Sequence, residues 1–369
     1  MKIVCTKTEL LNGVSIVSKA VPSKTTMSIL QCILIDASGD NIKLVGNDME
    51  LGIETVITGE ILEKGKIALD ARMLLDIIRK LPDNDITLVT DSNLKANITC
   101  EKAKFNIIGK PGEEFSALPQ IDHSDSITLS QFTLKEVIKQ TIFSISDNDN
   151  NPIMTGELFD INEDNLRVAS LDGHRISIRN VKLRNVYSPK KVIVPGKTLS
   201  EISKIIGDDT EKNVNIFFTK NHILFEFDET LVLSRLIEGE YFNVDQMITK
   251  DYETKVTINR SELYNCIDRS TLLVKEGDKR PIIIDIKDGN LELKINSTVG
   301  SMNEDIDIAK EGKDLMIGFN PKFVMDVLKV IDTDEINMYM VNPKSPCFIR
   351  DDEDSYIYLV LPINFTTVS

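Results

Sequence analysis

The sequence predicts an α+β fold of three similar domains, each with two helices lying on mostly antiparallel sheet. Two observations support this prediction. Similar segments recur along the 369 residues at an offset of about 125 residues, which is domain-sized and longer than solenoid repeats. Within each such length, a helical pattern followed by strand patterns occurs twice. Because chance rarely repeats a pattern at two levels, the three segments indicate one architecture used three times.

The first element of each repeat is a helix. The segments "LLNGVSIVSKAV", "LKEVIKQTIFSI" and "LYNCIDRSTLLV" begin at Leu10, Leu134 and Leu263. Each carries apolar residues at roughly helical spacing, which predicts one buried face.

Strands follow this helix in every repeat. The segments "NIKLVGND", "NLRVASLD" and "NLELKINS" begin at Asn41, Asn165 and Asn290. Each comes after a turn rich in Asp or Gly and alternates apolar with polar residues, as a half-buried strand does.

The second helix of each repeat comes next. The segments "IALDARMLLDIIRKL", "VIVPGKTLSEISKII" and "IGFNPKFVMDVLKVI" each predict a short strand, a turn and an amphipathic helix. Polar joins at Pro119–Asp125 and Met247–Lys255 separate the repeats. We therefore expect domains at residues 1–122, 123–250 and 251–369.

Composition limits the classes of function. Hydrophobic residues make up 41% and charged residues 27% of the chain, as in ordinary soluble globular proteins. The net charge of −15, taken alone, argues against a nucleic-acid partner. The five cysteines are dispersed, which indicates reduced intracellular thiols and no zinc site. With no signal peptide and no membrane-span pattern, we expect a cytoplasmic protein with no membrane partner.

The charge is distributed unevenly among the predicted elements. The six predicted helix windows, residues 8–24, 71–81, 132–146, 197–206, 259–275 and 320–331, contain 14 basic and 7 acidic residues. They carry +7, and the rest of the chain carries −22. Helix propensity and the helix dipole explain part of this excess. The alternative is a helix-lined surface that faces a polyanion such as a duplex backbone.

Several stretches together resemble the bacterial sliding clamp family, the beta subunits of DNA polymerase III. They are "LRVASLDGHRISI", "VIVPGKTLSEI", "SRLIEGEYFNVDQMI", "IGFNPKFVMDVLKVI" and the near-terminal "YLVLPI", and the resemblance covers essentially the whole chain. It implies the DNA-clamp fold and a head-to-tail homodimer that closes as a six-domain ring around double-stranded DNA. It further implies a non-catalytic processivity factor of DNA replication that needs no cofactor and does not read DNA sequence.

The resemblance also implies where partners bind. Short peptide motifs of the polymerase alpha subunit, the clamp loader and repair polymerases are expected in a groove between the second and third domains. The implied groove residues are Met154, Leu171, Gly173, His174, Arg175, Ile176, Met247, Asn320, Phe323, Pro346, Val360, Leu361, Pro362 and Ile363. The expected DNA-facing residues are Lys24, Arg72, Arg79, Lys80, Lys135, Lys139, Lys197, Lys204, Arg260 and Lys322.

Some positions depart from the family pattern. Phe242 stands where the family often has Pro, and Gln246 where an Arg is common. The family usually ends at or just after a Pro-Met/Val-Arg sequence, whereas this chain has Pro362–Phe365 at that place, followed by Thr366–Ser369. The ring itself would join the first-domain edge near Thr99–Gly109 to the third domain near Arg269–Pro281, since both segments are expected to continue a sheet.

Several short motifs also admit a catalytic, phosphate-binding or metal-binding interpretation. Asp172 and His174 suggest a metal-dependent hydrolase, but Asp-Gly between alternating strands is first a hairpin signal. "GKT" from Gly196 lacks the earlier glycine of a phosphate loop, since that position is Lys191. The polar segments "DNDNN" from residue 147 and "DDED" from residue 351 are expected to be solvated loops without a metal.

Overall fold

The computed structural model describes residues 1–148, 150–274 and 280–365, and contacts divide the chain into two compact units. Unit 1 comprises Met1–Lys135 and Lys197–Leu236. Unit 2 comprises Glu136–Gly196 and the chain from Ile237 onward. Both units are built of helices on antiparallel sheet, as the sequence predicts.

Six α-helices lie in the described residues, two in each predicted domain. They are α1 (Lys7–Val17), α2 (Ala71–Lys80), α3 (Gln131–Thr141), α4 (Gly196–Ile205), α5 (Arg260–Thr271) and α6 (Pro321–Val330). Each begins directly where a strand ends, so the predicted intervening turn is reduced to a capping residue. The side chains of Thr6, Asp70, Asn259 and Asn320 accept backbone N–H groups of the first turns of α1, α2, α5 and α6.

Three predicted helix windows were too long at their C-terminal ends. The first helix ends at Val17 and tightens into a 3-10 turn, Ser18–Ala20, shortly before Pro22, so Lys24 lies outside it. The third helix likewise tightens at Ile142–Ser144, and the fifth ends at Thr271, four residues before the predicted end at residue 275. The six observed helices contain 12 basic and 7 acidic residues, a net charge of +5 against −20 elsewhere. The helices therefore carry the predicted excess of positive charge, but it is smaller than the predicted +7.

Unit 1 contains two antiparallel sheets. The five-stranded sheet has the order β5 (Glu60–Glu63), β1 (Lys2–Thr6), β7 (Asp85–Thr90), β8 (Lys95–Cys100) and β9 (Ala103–Ile108). The nine-stranded sheet has the order β10 (Lys110–Pro111), β6 (Lys66–Asp70), β2 (Cys32–Asp36), β3 (Ile42–Asn47), β4 (Leu51–Ile57), β16 (Thr230–Arg235), β15 (His222–Phe227), β14 (Asn213–Phe218) and β11 (Ser126–Ser130).

Unit 2 contains one ten-stranded sheet. Its order is β12 (Gly156–Leu171), β13 (Arg175–Pro195), β24 (Tyr356–Val360), β23 (Cys347–Arg350), β22 (Glu335–Met340), β17 (Thr254–Asn259), β20 (Ser301–Gly312), β19 (Asn290–Asn296), β18 (Ile282–Lys287) and β21 (Leu315–Phe319). Strand β13 pairs with β24, and in unit 1 strand β4 pairs with β16. Each of these pairs joins two predicted domains, which explains why contacts divide the chain into two units.

The sheet of unit 2 is apolar on both faces around β13 and β24. Tyr358 and Val360 lie in the large core that includes residues of α5 and α6. Ile357 and Leu359 alternate with them and belong to a second, smaller cluster on the opposite face. An antiparallel sheet ordinarily turns one face to water, but here the second apolar face is covered by Val244, with Tyr241, Phe242 and Ile248 of the same chain packed against it.

Within the described residues, two strands have a backbone edge that is not paired with another strand along at least part of its length. Strand β9 ends the five-stranded sheet, and its Ile108 and Phe105 side chains are 84% and 38% exposed. In the third repeat, the prediction that Arg269–Pro281 continues a sheet was wrong for its described part, because Arg269–Thr271 ends α5. Residues 275–279 lie outside the described residues. Within the described chain, the first half of β20 pairs only with β19.

Candidate functional site

The turn Asp172–Arg175 is a hairpin held by one carboxylate. It joins β12 to β13, and the Oδ1 atom of Asp172 accepts the backbone N–H groups of His174 (2.9 Å) and Arg175 (3.1 Å). Gly173 sits at φ +88°, where a side chain would be strained. The predicted Asp-Gly hairpin is therefore confirmed.

Arg175 is a buried structural cation. Its Nε donates to Asp172 at 2.9 Å, and its Nη1 donates to Asp326 of α6 at 2.7 Å. The guanidinium also lies 4.4 Å from the ring centroid of Phe323. Burial alone would lower the pKa of this guanidinium, but the hydrogen bonds and charges of Asp326 and Asp172 raise it. Arg175 therefore fixes the turn against the helix.

A hydrolytic site is not formed here. Both carboxylate oxygens of Asp172 are occupied: Oδ1 accepts backbone N–H groups of the turn, and Oδ2 accepts from Arg175. The side chain of His174, two residues later in the turn, is exposed. In the described part of the chain, no group of three metal-ligating side chains is close enough to hold an ion. The hydrolase interpretation of Asp172 and His174 therefore has no structural support.

The second apolar face of unit 2 opens into a cavity of about 460 Å³ beside this turn. Leu171, Ile176 and Leu359 form its floor as neighbours on adjacent strands, since Leu171 pairs with Ile176 and Ile176 with Leu359. The lining residues are Met154, Leu171, Gly173, His174, Arg175, Ile176, Phe242, Met247, Pro346, Leu359 and Leu361. We call this cavity the unit 2 groove.

The structure brings nine of the fourteen expected groove residues to this lining. The other five lie nearby or behind it. Asn320 caps α6, and Phe323 packs behind the turn against Arg175. Ile363 donates its N–H to the Gly318 carbonyl at 2.8 Å, so the chain after Leu361, including Pro362, leaves towards β21.

Val360 was wrongly assigned to the groove. It is 1% exposed and lies in the opposite core, while Leu359 lines the groove. Successive strand residues point to opposite faces, so Val360 and Leu361 cannot share a wall within β24 and its end. Phe242 was noted only as a departure, yet it lines the groove. The alternation of apolar residues in "YIYLVL" was the signal for Leu359.

The expected DNA-facing residues differ in their availability. Lys197 pairs with Asp48, Lys135 with Asp208 at 2.7 Å, and Lys204 with Glu201 at 2.7 Å. Arg79 and Lys139 likewise have acidic partners, and the Arg260 guanidinium donates to the carbonyls of Thr333 and Leu328. Within the described residues, Lys24, Arg72, Lys80 and Lys322 are exposed and form no ion pair.

The remaining motifs are structural. Gly196 begins α4 directly after β13, so "GKT" forms no loop around a phosphate. Asp351 accepts the N–H of Ser355 at 2.7 Å and closes the "DDED" turn. The segment from residue 147 includes Asp149, which lies outside the described residues, as do residues 366–369. No helix among the described residues is long and apolar enough to cross a membrane.

Family models match the chain over three consecutive stretches. They describe the N-terminal domain (residues 1–119), the central domain (residues 128–243) and the C-terminal domain (residues 245–364) of the DNA polymerase III beta subunit. The chain belongs to the DNA polymerase III beta subunit family. Members of this sliding clamp family are non-catalytic processivity factors, which excludes the hydrolase alternative.

Relatives support the same assignment. The chain is 37% identical over 356 residues to a beta sliding clamp of Staphylococcus aureus, with 94% of each chain covered. A crystal structure of a putative beta subunit from Eubacterium rectale is 66% identical, with a TM-score of 0.95 and coverage of 99% of this chain and 100% of that chain. The sliding clamp of Bacillus subtilis is 33% identical, with the same TM-score and coverage. The three-domain clamp fold implied by the sequence is thus confirmed.

Proposed function

We propose that two copies of this chain close head to tail into a ring around duplex DNA and tether the replicative polymerase through the unit 2 groove. The observation that carries the proposal is the match of three consecutive family domains over nearly the whole chain. These matches support a domain boundary near residue 122, whereas the C-terminal match begins at residue 245, shortly before the second boundary expected at residue 250. Such a ring acts as a cytoplasmic replication factor, needs no cofactor and contacts DNA without reading its sequence.

The unit 2 groove suits short peptide motifs of several partners. Its lining is mainly apolar, and the half-exposed Met247 with the partly buried Met154 offers flexible walls that repack around different side chains. We propose the polymerase alpha subunit, the clamp loader and repair polymerases as the partners. One groove that all of them use makes their binding mutually exclusive on each chain.

The ring interface is proposed at two sheet edges of opposite charge. Strand β9 offers exposed Lys104 beside the apolar Phe105 and Ile108. The half-free strand β20 of a second copy offers the exposed Asp305 and Asp307, while its Glu304 is held in an ion pair by Arg269 of the same chain. Pairing of these edges continues the sheet from one chain to the next.

Apolar contacts reinforce the proposed interface. A cavity of about 430 Å³ lies between α2 and Phe105 of β9, with Met73 and Ile77 in its lining. Leu272, at the end of α5, is 83% exposed and has the shape and polarity to fill this cavity in a second copy.

Charge introduced on β9 is expected to separate the dimer. We predict that Ile108→Asp raises the dimer dissociation constant at least thirty-fold, or about 2 kcal/mol, because it places a carboxylate in an apolar contact opposite acidic β20. The matched control is Leu62→Asp on β5, the other edge of the same sheet, where Leu62 is 47% exposed. Sedimentation equilibrium measures both variants. Equal dissociation constants for the two variants contradict the interface.

The helix charge is proposed to face the DNA. We predict that Arg72→Glu, Lys80→Glu and Lys322→Glu together lower loading onto DNA roughly ten-fold near physiological salt, because unpaired cations on helices neutralise phosphates. Arg72 and Lys80 also line the cavity proposed at the ring interface, so sedimentation must first show that the triple variant is still dimeric. The control changes Lys95, Lys220 and Lys344, exposed residues outside the helices, in the same way. Loading is counted with fluorescent protein on primed DNA. A similar loss in both triple variants indicates a general charge effect and removes the helices from the DNA contact.

The ring itself is tested by topology. The protein is loaded with a clamp loader and ATP onto nicked circular DNA, and the circle is then cut once. We expect retention on the intact circle and rapid release after cutting, since a closed ring leaves only over an end. Equal lifetimes on circular and linear DNA contradict encirclement.

A further inference from the structure

Unit 1 contains a turn that repeats the hydrogen bonds of the turn at the unit 2 groove. The Oδ1 atom of Asp48 accepts the N–H groups of Glu50 (2.9 Å) and Leu51 (2.7 Å), as Asp172 does for His174 and Arg175. Met49 adopts φ +78° where the second turn has Gly173. The two turns are therefore conformational copies.

Each turn also accepts a backbone hydrogen bond from the end of a neighbouring strand. The N–H of Arg235, at the end of β16, donates to the Glu50 carbonyl at 2.9 Å. The N–H of Leu361, just after β24, donates to the His174 carbonyl at 2.8 Å. Strand pairing extends the match, because Gly52 faces Leu233 in unit 1 as Ile176 faces Leu359 in unit 2.

The cavities beside the two turns differ in size. The unit 2 groove measures about 460 Å³, and the unit 1 cavity about 120 Å³. The unit 1 cavity is lined by Asn47, Met49, Glu50, Gly52, Ser116, Ala117, Leu118, Pro119, His222, Leu233 and Arg235. Although the turn and strand backbones match, the unit 1 cavity has about a quarter of the volume of the unit 2 groove.

Leu118 accounts for much of this lost space. Its side chain packs against Phe217, Leu224 and Leu233 and also reaches Gly52, where a Cβ atom would overlap its Cδ2 atom. The missing side chain at Gly52 thus makes room for Leu118, whereas Ile176 at the matching place lines an open groove. The apolar floor of unit 1 is covered by the chain itself.

The rim of the unit 1 cavity is also unsuited to an apolar ligand. Arg235 occupies the position that Leu361 has in unit 2, and its guanidinium lies 3.4 Å from a carboxylate oxygen of Glu50. Arg235 and Glu50 are both more than half exposed, so this charged pair is hydrated. An apolar peptide side chain entering here displaces that water without replacing its hydrogen bonds.

We infer that unit 1 holds a closed copy of the peptide groove, and that Leu118 and Arg235 limit each chain to one peptide site. This inference rests on the proposed peptide function of the unit 2 groove. The ligand class for the reopened copy is the same: a short peptide with two or three apolar anchors. Leu118 and Arg235 are thus specificity determinants that keep partners on one groove per chain.

The test measures stoichiometry with a fluorescent peptide that contains Gln, leucine and a terminal phenylalanine, titrated onto the full chain. We expect one peptide per wild-type chain and two per Leu118→Ala/Arg235→Leu chain. Addition of Leu171→Asp, which closes the unit 2 groove, should leave one. The control pair, Leu62→Ala/Lys220→Leu, should bind one.

The outcomes separate the inference from the function it rests on. Failure of wild type to bind the peptide contradicts the groove itself. One peptide on the Leu118→Ala/Arg235→Leu chain, with none once Leu171→Asp is added, overturns the inference while the groove stands. If thermal melting shows that the alanine pair is unfolded, Leu118→Val/Arg235→Leu replaces it. A stoichiometry of one for that folded pair likewise overturns the inference.

Discussion

Replacing Leu171 with Asp is expected to abolish measurable peptide binding to the unit 2 groove. The wild-type affinity for a short peptide is expected to be roughly micromolar, about −8 kcal/mol, because such peptides bury little area. Leu171 is 3% exposed and forms the groove floor, so a carboxylate there meets apolar anchors without a partner. The loss should exceed about 2 kcal/mol, or thirty-fold.

Two further variants make this result specific. Leu361→Ala removes one rim contact from a side chain that is 39% exposed, so it should weaken binding roughly ten-fold and leave the core intact. Val186→Asp places the same new charge at a side chain that is 74% exposed on β13 and should have no effect. Fluorescence titration measures all three variants. If Leu171→Asp binds as tightly as Val186→Asp, the groove assignment is wrong.

Glu157→Gln is expected to stabilise the protein strongly above pH 8. Glu157 of β12 is fully buried, its Oε2 accepts the Thr141 hydroxyl at 3.0 Å, and its Oε1 has no partner within the described residues. Burial raises the pKa of this carboxyl from 4.5 to about 8. The folded protein therefore keeps a proton that the unfolded chain loses above pH 4.5.

This difference fixes the direction of the pH dependence. Between about pH 4.5 and 8, unfolding releases the Glu157 proton, so the free energy of unfolding falls as pH rises. Removal of the titrating group should restore on the order of 4 kcal/mol at pH 9 and little near pH 4.5. Urea denaturation at both pH values measures this, with exposed Glu335→Gln as the control. An equal change for Glu157→Gln at both pH values contradicts a buried titrating carboxyl.

The fold was predictable from the sequence because its signals are periodic and local. The predicted strands that begin at Asn41, Asn165 and Asn290 were confirmed, but the turn expected before Asn165 was wrong, because β12 continues there through a bulge with Glu163 at φ +55°. The cap residues Asp70 and Asn320 lie where the strand-to-helix segments place them. Helix ends were less predictable. Nothing in the apolar periodicity distinguishes the last α-helical turn from the 3-10 turns that follow Val17 and Thr141.

The site was predictable where it depends on one hairpin and less so where it depends on strand faces. The Asp172–Arg175 turn follows from local chemistry. The choice between Leu359 and Val360 depends on which face of β24 is covered by α6. This packing is a tertiary contact between residues distant in sequence, which local patterns do not reveal. Ion pairs such as Lys197 with Asp48 join residues distant in sequence, so counting helix charge could not show which cations remain unpaired.

The central claim is a ring made of two chains, and the molecular mass in solution tests it most directly. Sedimentation equilibrium of the wild-type chain at micromolar concentration should give about twice the 41.5 kDa chain mass. A mass of 41.5 kDa under the same conditions would contradict the account, because three domains alone do not close the proposed six-domain ring.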